Sequence, residues 1–319
     1  MRGVRICLMV EGQEGVTWNE WLALARTCED SGLAGLFRSD HYSSTIATAD
    51  RGSLDAWTTL AALAARTERI RLGTMVSPVT FRHPANLARC VVTVDHVSGG
   101  RAELGMGVGW MELEHTSNGF PFRDPGWRGS LLREQIEIVV RQWTEYDAFS
   151  FDGEHYVLES SRALPRPIQQ PHPPLIVGGG GKPGTVGPAV RWADEYNTTF
   201  AGVEEIRALR VKLDAECERA GRARPLRLTL MSTAVVGADE NELRDRVRSV
   251  LERVGRAGEP DEWLAERRGS RLVGTVDELL DVLGRYREAG LDGAYLQHLD
   301  HGDLDMVRLI GAEIVPAVA

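Results

Sequence analysis

The chain has 319 residues, 43% of them hydrophobic and 26% charged, with a formal net charge of −9. This length can bury a large core, and the composition is that of an ordinary globular protein rather than a disordered one. The acidic balance argues against a general nucleic-acid binder, which needs a basic surface to neutralise phosphates, but leaves room for a small anion at a local site.

Strand and helix signals alternate along the chain. Val4–Val10 is a short apolar run with strand character. Thr17–Ser31 reads as a helix, with Thr17 and Glu20 at capping-box spacing and Gly32 as its stop. Gly35–Arg38 is a second strand, Asp55–Thr67 an Ala/Leu-rich helix, Ile70–Val76 a third strand, Pro84–Val97 a helix and Ala102–Gly107 a fourth strand. Gly129–Thr144 is a long helix, and Phe149–Leu158 a hairpin turning at Asp152-Gly153. After a Pro-rich connector, Pro165 to Pro174, come strand Leu175–Val177, helix Gly184–Asp194, strand Glu195–Phe200, helix Val203–Ala220 and the long strand Leu226–Val236. Helix Glu240–Arg256 is followed by a polar stretch, Glu259–Arg271, irregular or helical. Helix Val276–Ala289, strand Gly293–Gln297 and helix Leu304–Val318 close the chain. Eight short strands, each followed by a helix, predict an α/β fold: a (β/α)8 TIM barrel with insertions, one domain over residues 1–319. The rival, an open doubly wound sheet, calls for a glycine fingerprint after the first strand; Glu11-Gly12-Gln13-Glu14-Gly15 lacks it.

Cys7, Cys28, Cys90 and Cys217 have no metal-binding or redox spacing and sit in apolar-periodic segments, so they read as small buried hydrophobes in a cytoplasmic protein. The histidines make no metal-ligand pattern, so no metal site is expected. No apolar run reaches membrane-spanning length, and the N-terminal run is too short and wrongly flanked for a signal peptide.

In a parallel barrel, ligands bind at the carboxyl ends of the strands. Gly178, Gly179, Gly180 and Gly181, followed by Lys182 and a helix whose first turn holds Thr185, form the clearest anion site; the alternative is a plain flexible turn. Asp40 and His41 end the second strand, where His serves as an acid or base and Asp as a ring contact, or both are caps and loop residues. Met75 and Val76 end the third strand, and Gly105, Gly107 and Gly109 on the fourth leave room for a flat ring or a phosphate chain. Trp110 is an aromatic wall or a structural plug, and Glu112 and Glu114 read as an acidic helix start. His298 and His301 lie close enough to the last strand to reach the pocket.

These residues, with LGTMVSPVTFRHPA at Leu72–Ala85, GGRAELGMGVGWMELEH at Gly99–His115, LPRPIQQPHPPLIVGGGG at Leu164–Gly181 and VGTVDEL at Val273–Leu279, resemble the luciferase-like monooxygenase superfamily. Within it, the chain most resembles the branch that uses the deazaflavin coenzyme F420. The resemblance implies a hydride-transferring oxidoreductase acting on a small-molecule substrate, and a homodimer. It implies Asp40 at the deazaflavin head, His41 handling the proton, a non-prolyl cis peptide at Met75–Val76 behind the ring, and Gly178–Gly181 with Lys182 around the phosphate. Flavin-dependent members carry a basic phosphate contact where Val108 stands and a catalytic His where Asp40 stands, so F420 is expected before FMN. The alternatives are a reduced-FMN monooxygenase and an F420-binding protein without turnover. Members that oxidise glucose 6-phosphate place an acid where Trp110 stands and a Trp near Thr45, which argues against that sugar. Thr45–Gly52, Thr116–Arg128 and Gly237–Arg271 are expected to shape the substrate pocket.

Overall fold

A computed structural model describes residues 3–45 and 50–319. The chain runs through β1 (Arg5–Val10), α1 (Trp18–Asp30), β2 (Gly35–Arg38), α2 (Ala56–Ala64), β3 (Arg71–Thr74), β4 (Ser77–Pro78), α3 (Pro84–Ser98) and β5 (Ala102–Gly107). Then come α4 (Glu112–Asn118), α5 (Pro125–Thr144), the hairpin β6 (Phe149–Asp152) and β7 (Val157–Ser161), β8 (Leu175–Gly178), α6 (Pro183–Trp192), β9 (Glu195–Thr199), α7 (Val203–Arg219) and β10 (Arg227–Gly237). α8 (Glu240–Arg253), α9 (Pro260–Arg267), β11 (Leu272–Thr275), α10 (Val276–Glu288), β12 (Gly293–His298), α11 (Leu304–Leu309), a π-helical turn (Ile310–Ile314) and α12 (Val315–Val318) complete it.

β1 pairs with β2, β2 with β3, β3 with β5, β5 with β8, β8 with β9, β9 with β10, β10 with β12, and β12 returns to β1, all in parallel. The circuit closes, giving the (β/α)8 barrel that strand–helix alternation predicts. Strand periodicity divides the core in two. On β1, Ile6, Leu8 and Val10 belong to the large cluster shared with the helices. Cys7 and Met9 join Phe37, Met75, Ile176, Met231 and Tyr295 in a smaller second cluster. All four cysteines are free thiols, and burial pushes Cys7 up to about 12 and Cys28 well above its ordinary value, so neither is a thiolate at neutral pH.

A charged floor lies at the amino ends of the strands. Glu103 takes two hydrogen bonds from Arg5, at 3.0 and 2.8 Å, and a third from Arg71. Glu195 accepts from Tyr295 and Thr229, each at 2.7 Å, with Arg227 at 3.4 Å and Arg5 at 3.9 Å. Both carboxylates are buried.

The capping box at Thr17 and Glu20 is present. Several features differ from expectation. The third strand stops at Thr74, and strand pairing resumes at Ser77; the Met75–Val76 peptide between them is cis. α5 begins at Pro125, not Gly129, because Asp124 accepts from Gly126 and Trp127 and Pro125 suits a first turn. The polar stretch after α8, read as irregular or helical, is the helix α9 over most of its length. β11 has no counterpart among the expected strands: it is four residues long and pairs with the last four residues of β10, Ala234 to Gly237. No helix among the described residues is long and apolar enough to cross a membrane.

Candidate active site

The carboxyl ends of the strands surround a cavity of about 610 Å³, within the usual range for small-molecule and cofactor sites. Met9, Met75 and Met231 form part of its lining, and every barrel strand or the loop that follows it contributes. The segment after β10 adds Val250, Val254, Arg256, Trp263 and Arg267. Arg267 stacks over Trp263 at 4.4 Å and pairs with exposed Glu266. Thr45 also lines the cavity; positions 46–49 lie outside the described residues. Thr116–Arg128 contributes no lining residue. Its Phe120 stacks on Phe81 and Tyr42 instead, and Phe122 packs on His115.

Val76 is the central feature of one wall. A Cβ at Gly107 would stand 2.5 Å from Val76 Cγ2, and Cβ atoms at Gly105 and Gly178 would stand 3.0 and 3.1 Å from its Cγ1. Gly105 also abuts the Thr74 carbonyl. These glycines therefore make room first for the Val76 side chain, which they seat against the cavity, and only secondarily for a ligand. Gly109 lines the same wall in a left-handed conformation, φ 76°.

His41 follows β2. Its Nδ1 lies 2.6 Å from Oε1 of Glu114, on the first turn of α4, and the other Glu114 oxygen accepts from the Tyr42 backbone at 3.0 Å. Glu114 is fully buried, while the His41 side chain keeps 13% of its surface exposed, on the cavity. An ionised carboxylate only accepts, so this contact favours the tautomer with its proton on Nδ1. Burial pushes the His41 pKa down, but the hydrogen bond and charge of Glu114 outweigh it and hold it above its ordinary value, with smaller help from Glu11 and Asp40. Trp110, also on the cavity, meets the imidazole edge-on at 5.7 Å.

Asp40 is not among the cavity-lining residues. Its carboxylate is buried and accepts from Ser77 Oγ at 2.6 Å and from Arg82 at 2.5 Å; Arg82 reaches on to Asp55 at 2.6 Å. It ties the ends of β2 and β4 together beneath the site. A polar chain runs along the rim: Thr233 donates to Gln297, Gln297 and Gln13 donate to the two oxygens of Glu11, and Ser39 donates to Gln13. Glu11, Ser39, Thr233 and Gln297 all line the cavity.

In the glycine bend, Gly178, Gly179 and Gly180 line the cavity, whereas Gly181, Lys182 and Thr185 are not among its lining residues. Tyr196 holds the bend: its hydroxyl accepts from the Gly181 N–H at 2.8 Å and shares a hydrogen bond with Thr185 Oγ1 at 2.7 Å. Lys212, from α7, donates to the Gly181 carbonyl at 2.6 Å. Lys182 is the N-cap of α6, so the positive end of that helix starts at the bend.

Sequence reasoning does not single out Glu11, Gln13 or Gln297, and it reads Glu114 only as a helix start. Glu114 lies 73 residues from His41 in the chain, and its only local signal is an acid in a first turn. His298 and His301 do not line the cavity. Both are buried, and burial lowers each to about 4, with Arg253 adding to the effect on His301.

A family model described as Luciferase-like monooxygenase matches residues 4–293. An uncharacterised protein of Mycobacterium tuberculosis is 40% identical over 152 residues, which is 48% of this chain and 52% of that protein, so the chain spans about half the length of this curated relative. The F420-dependent glucose-6-phosphate dehydrogenase of Microbacterium testaceum is 28% identical over 317 residues, 93% of each chain. Among solved structures, monooxygenase RslO1 from Streptomyces bottropensis superposes with a TM-score of 0.83 at 24% identity, covering 100% of both chains.

Proposed function

The chain belongs to the luciferase-like monooxygenase family, and from that premise we propose that it is an oxidoreductase moving hydride between coenzyme F420 and a small organic substrate. The observation that carries this reading is His41: an imidazole braced by a buried carboxylate, sharing one cavity with Val76 and the glycine bend. When an alcohol and a carbonyl interconvert by hydride transfer, a proton must move as well, and an imidazole on the cavity wall is suited to move it.

The residues present fit the coenzyme. The cavity has room for a flat tricyclic ring beside a small molecule. Gly180 leaves open space where a side chain would stand, and α6 begins just beyond it, so a phosphate there would face the positive end of that helix; the Gly179 and Gly181 N–H groups are already taken by the Asn197 carbonyl and the Tyr196 hydroxyl. When bound, F420 supplies the ring carbon that accepts or releases the hydride. Val76 would back the ring, and the glycine bend would hold the phosphate. His41 Nε2 takes the hydroxyl proton of the substrate in oxidation and returns it in reduction. The relative from Microbacterium testaceum is named for glucose 6-phosphate. Members that oxidise this sugar carry an acid where Trp110 stands and a Trp near Thr45; this chain has neither, so we assign a different substrate.

Titration of the protein with F420 and, under anaerobic conditions, with reduced FMN tests the reading. The expected result is micromolar or tighter F420 binding with FMN far weaker. Submicromolar FMN binding without F420 binding, joined by substrate-dependent oxygen uptake, overturns it in favour of a flavin monooxygenase. A variant tests the phosphate cradle. A Cβ at Gly179 would stand 2.6 Å from the Tyr196 hydroxyl and closer still to Thr185 Oγ1. Gly179→Ala therefore displaces the group that holds the bend and weakens F420 binding about tenfold or more, or about 1.4 kcal/mol, in a fluorescence titration. Unchanged affinity would place the phosphate elsewhere.

A further inference from the structure

We propose that Glu114 is a positioning residue for His41, keeping the imidazole proton on Nδ1 so that Nε2 is left as the basic atom facing substrate. The inference rests on the proton-handling role of His41 above, but its geometry stands apart from any cofactor. The two Glu114 oxygens do different work. Oε2 accepts from the Tyr42 N–H at 3.0 Å and so anchors the loop that carries His41. Oε1, at 2.6 Å from Nδ1, sets the tautomer and the plane of the ring. The carboxylate has no exposure, so no water competes for either contact.

The other groups facing the ring do not duplicate this work. Glu11, from the end of β1, and Asp40, beside His41 in the chain, act on it through charge alone. Glu11 is taken up by Gln13 and Gln297, and Asp40 by Ser77 and Arg82. Trp110 gives an edge contact without a proton acceptor. Glu114 alone among them contacts a ring nitrogen.

This arrangement has a specific consequence. Glu114→Gln keeps the size of the side chain and an oxygen for the Tyr42 N–H, but turns an NH2 group toward Nδ1. A donor there favours the tautomer with its proton on Nε2, the atom needed as the base. The carboxylate also holds the His41 midpoint up, so the variant titrates at lower pH. For oxidation, which needs the neutral ring, the acid limb of the rate profile then moves to lower pH while the plateau falls.

The test uses the full chain, 15N-labelled at histidine, with His41→Ala identifying the resonances. In the parent protein the expected pattern is a protonated Nδ1 and a midpoint above that of an ordinary histidine. Glu114→Gln is expected to shift the proton toward Nε2 and lower the midpoint. With F420 and a turned-over substrate, its kcat falls about tenfold or more, while F420 affinity and KM change less than about threefold. A parent His41 with its proton on Nε2 overturns the proposal without any variant. So does a Glu114→Gln protein with the parent tautomer and midpoint, or with the parent rate and pH profile. The expected NMR pattern in a protein that binds no F420 supports the positioning and counts against the F420 reading alone.

Discussion

His41→Ala is expected to leave a folded protein that binds F420 and turns substrate over about a hundredfold to ten-thousandfold more slowly, the usual contribution of a general acid or base. The stability cost is smaller than the catalytic one. The substitution leaves the buried Glu114 carboxylate with the Tyr42 N–H but without its imidazole partner, a loss of about 1–3 kcal/mol. A circular-dichroism melt and an F420 titration establish the folded, loaded state; initial rates then give kcat and KM separately. The double variant sharpens the result. If the two side chains act as a unit, His41→Ala joined to Glu114→Gln costs no more in rate than His41→Ala alone. A His41→Ala protein within about threefold of the parent rate would move the base elsewhere on the rim, with Glu11 the first candidate. A parent protein that binds F420 yet turns over no substrate from a broad panel would instead be a carrier without chemistry.

The largest expected loss of stability is far from that mouth. Glu103→Ala removes the shared partner of Arg5 and Arg71, whose side chains are only 18% and 29% exposed. Breaking a buried ion pair from one side costs about 3–5 kcal/mol, because the remaining charge stays desolvated. At about 2.1 cal/mol/K of unfolding entropy per residue, that lowers the melting temperature by about 5–7 °C. Burial alone would raise the Glu103 pKa, but Arg5 and Arg71 outweigh it and hold it below the ordinary carboxylate range. This stability is thus present above the pKa Glu103 has in the unfolded chain and disappears as pH falls through its lower folded value. Glu195 behaves in the opposite sense. Burial dominates over Arg5 and Arg227 and raises its pKa, and its Oε2 has no hydrogen-bond partner. Its ionised form contributes no comparable stabilisation, so Glu195→Gln, which keeps an acceptor for Tyr295 and Thr229, is expected to cost less than about 1 kcal/mol. Denaturant midpoints of the parent and the two variants, measured at pH 7 and then at pH values stepped down below the ordinary carboxylate range, check both signs. Equal losses at pH 7 would show that the floor does not distinguish its two acids.

Much of the barrel is legible in the sequence because its signals are local. Apolar runs bounded by glycine and proline mark the strands, and the Thr17–Glu20 spacing marks the start of α1 to within a residue. The cavity-lining positions His41, Met75, Val76, Gly107, Gly109 and Gly178–Gly180 stand out because strand ends point to the mouth of a parallel barrel. What the sequence hides depends on which strands become neighbours and in what register. The floor pairs Arg5 with Glu103 across 98 positions, and Glu195 with Tyr295 across 100. Glu114 belongs to the same class: its helix is read from neighbouring residues, but its partner is fixed by the closure of the barrel. Asp40 shows how much a strand-end position leaves open: Arg82 and Ser77 already engage its carboxylate, which is not among the residues lining the cavity. The glycines of β5 suggest space for a guest, yet part of that space is filled by Val76.

That last arrangement limits how the wall can be altered. Gly105, Gly107 and Gly178, from two neighbouring strands, close around one branched side chain, so none of the four positions has slack of its own. A methyl group added on the strands must be matched by one removed from Val76, and trimming Val76 opens a dent that a larger strand residue can refill. Reshaping this wall is therefore an exchange of volume between partners, carried out in pairs, and single changes at these sites meet either collision or void.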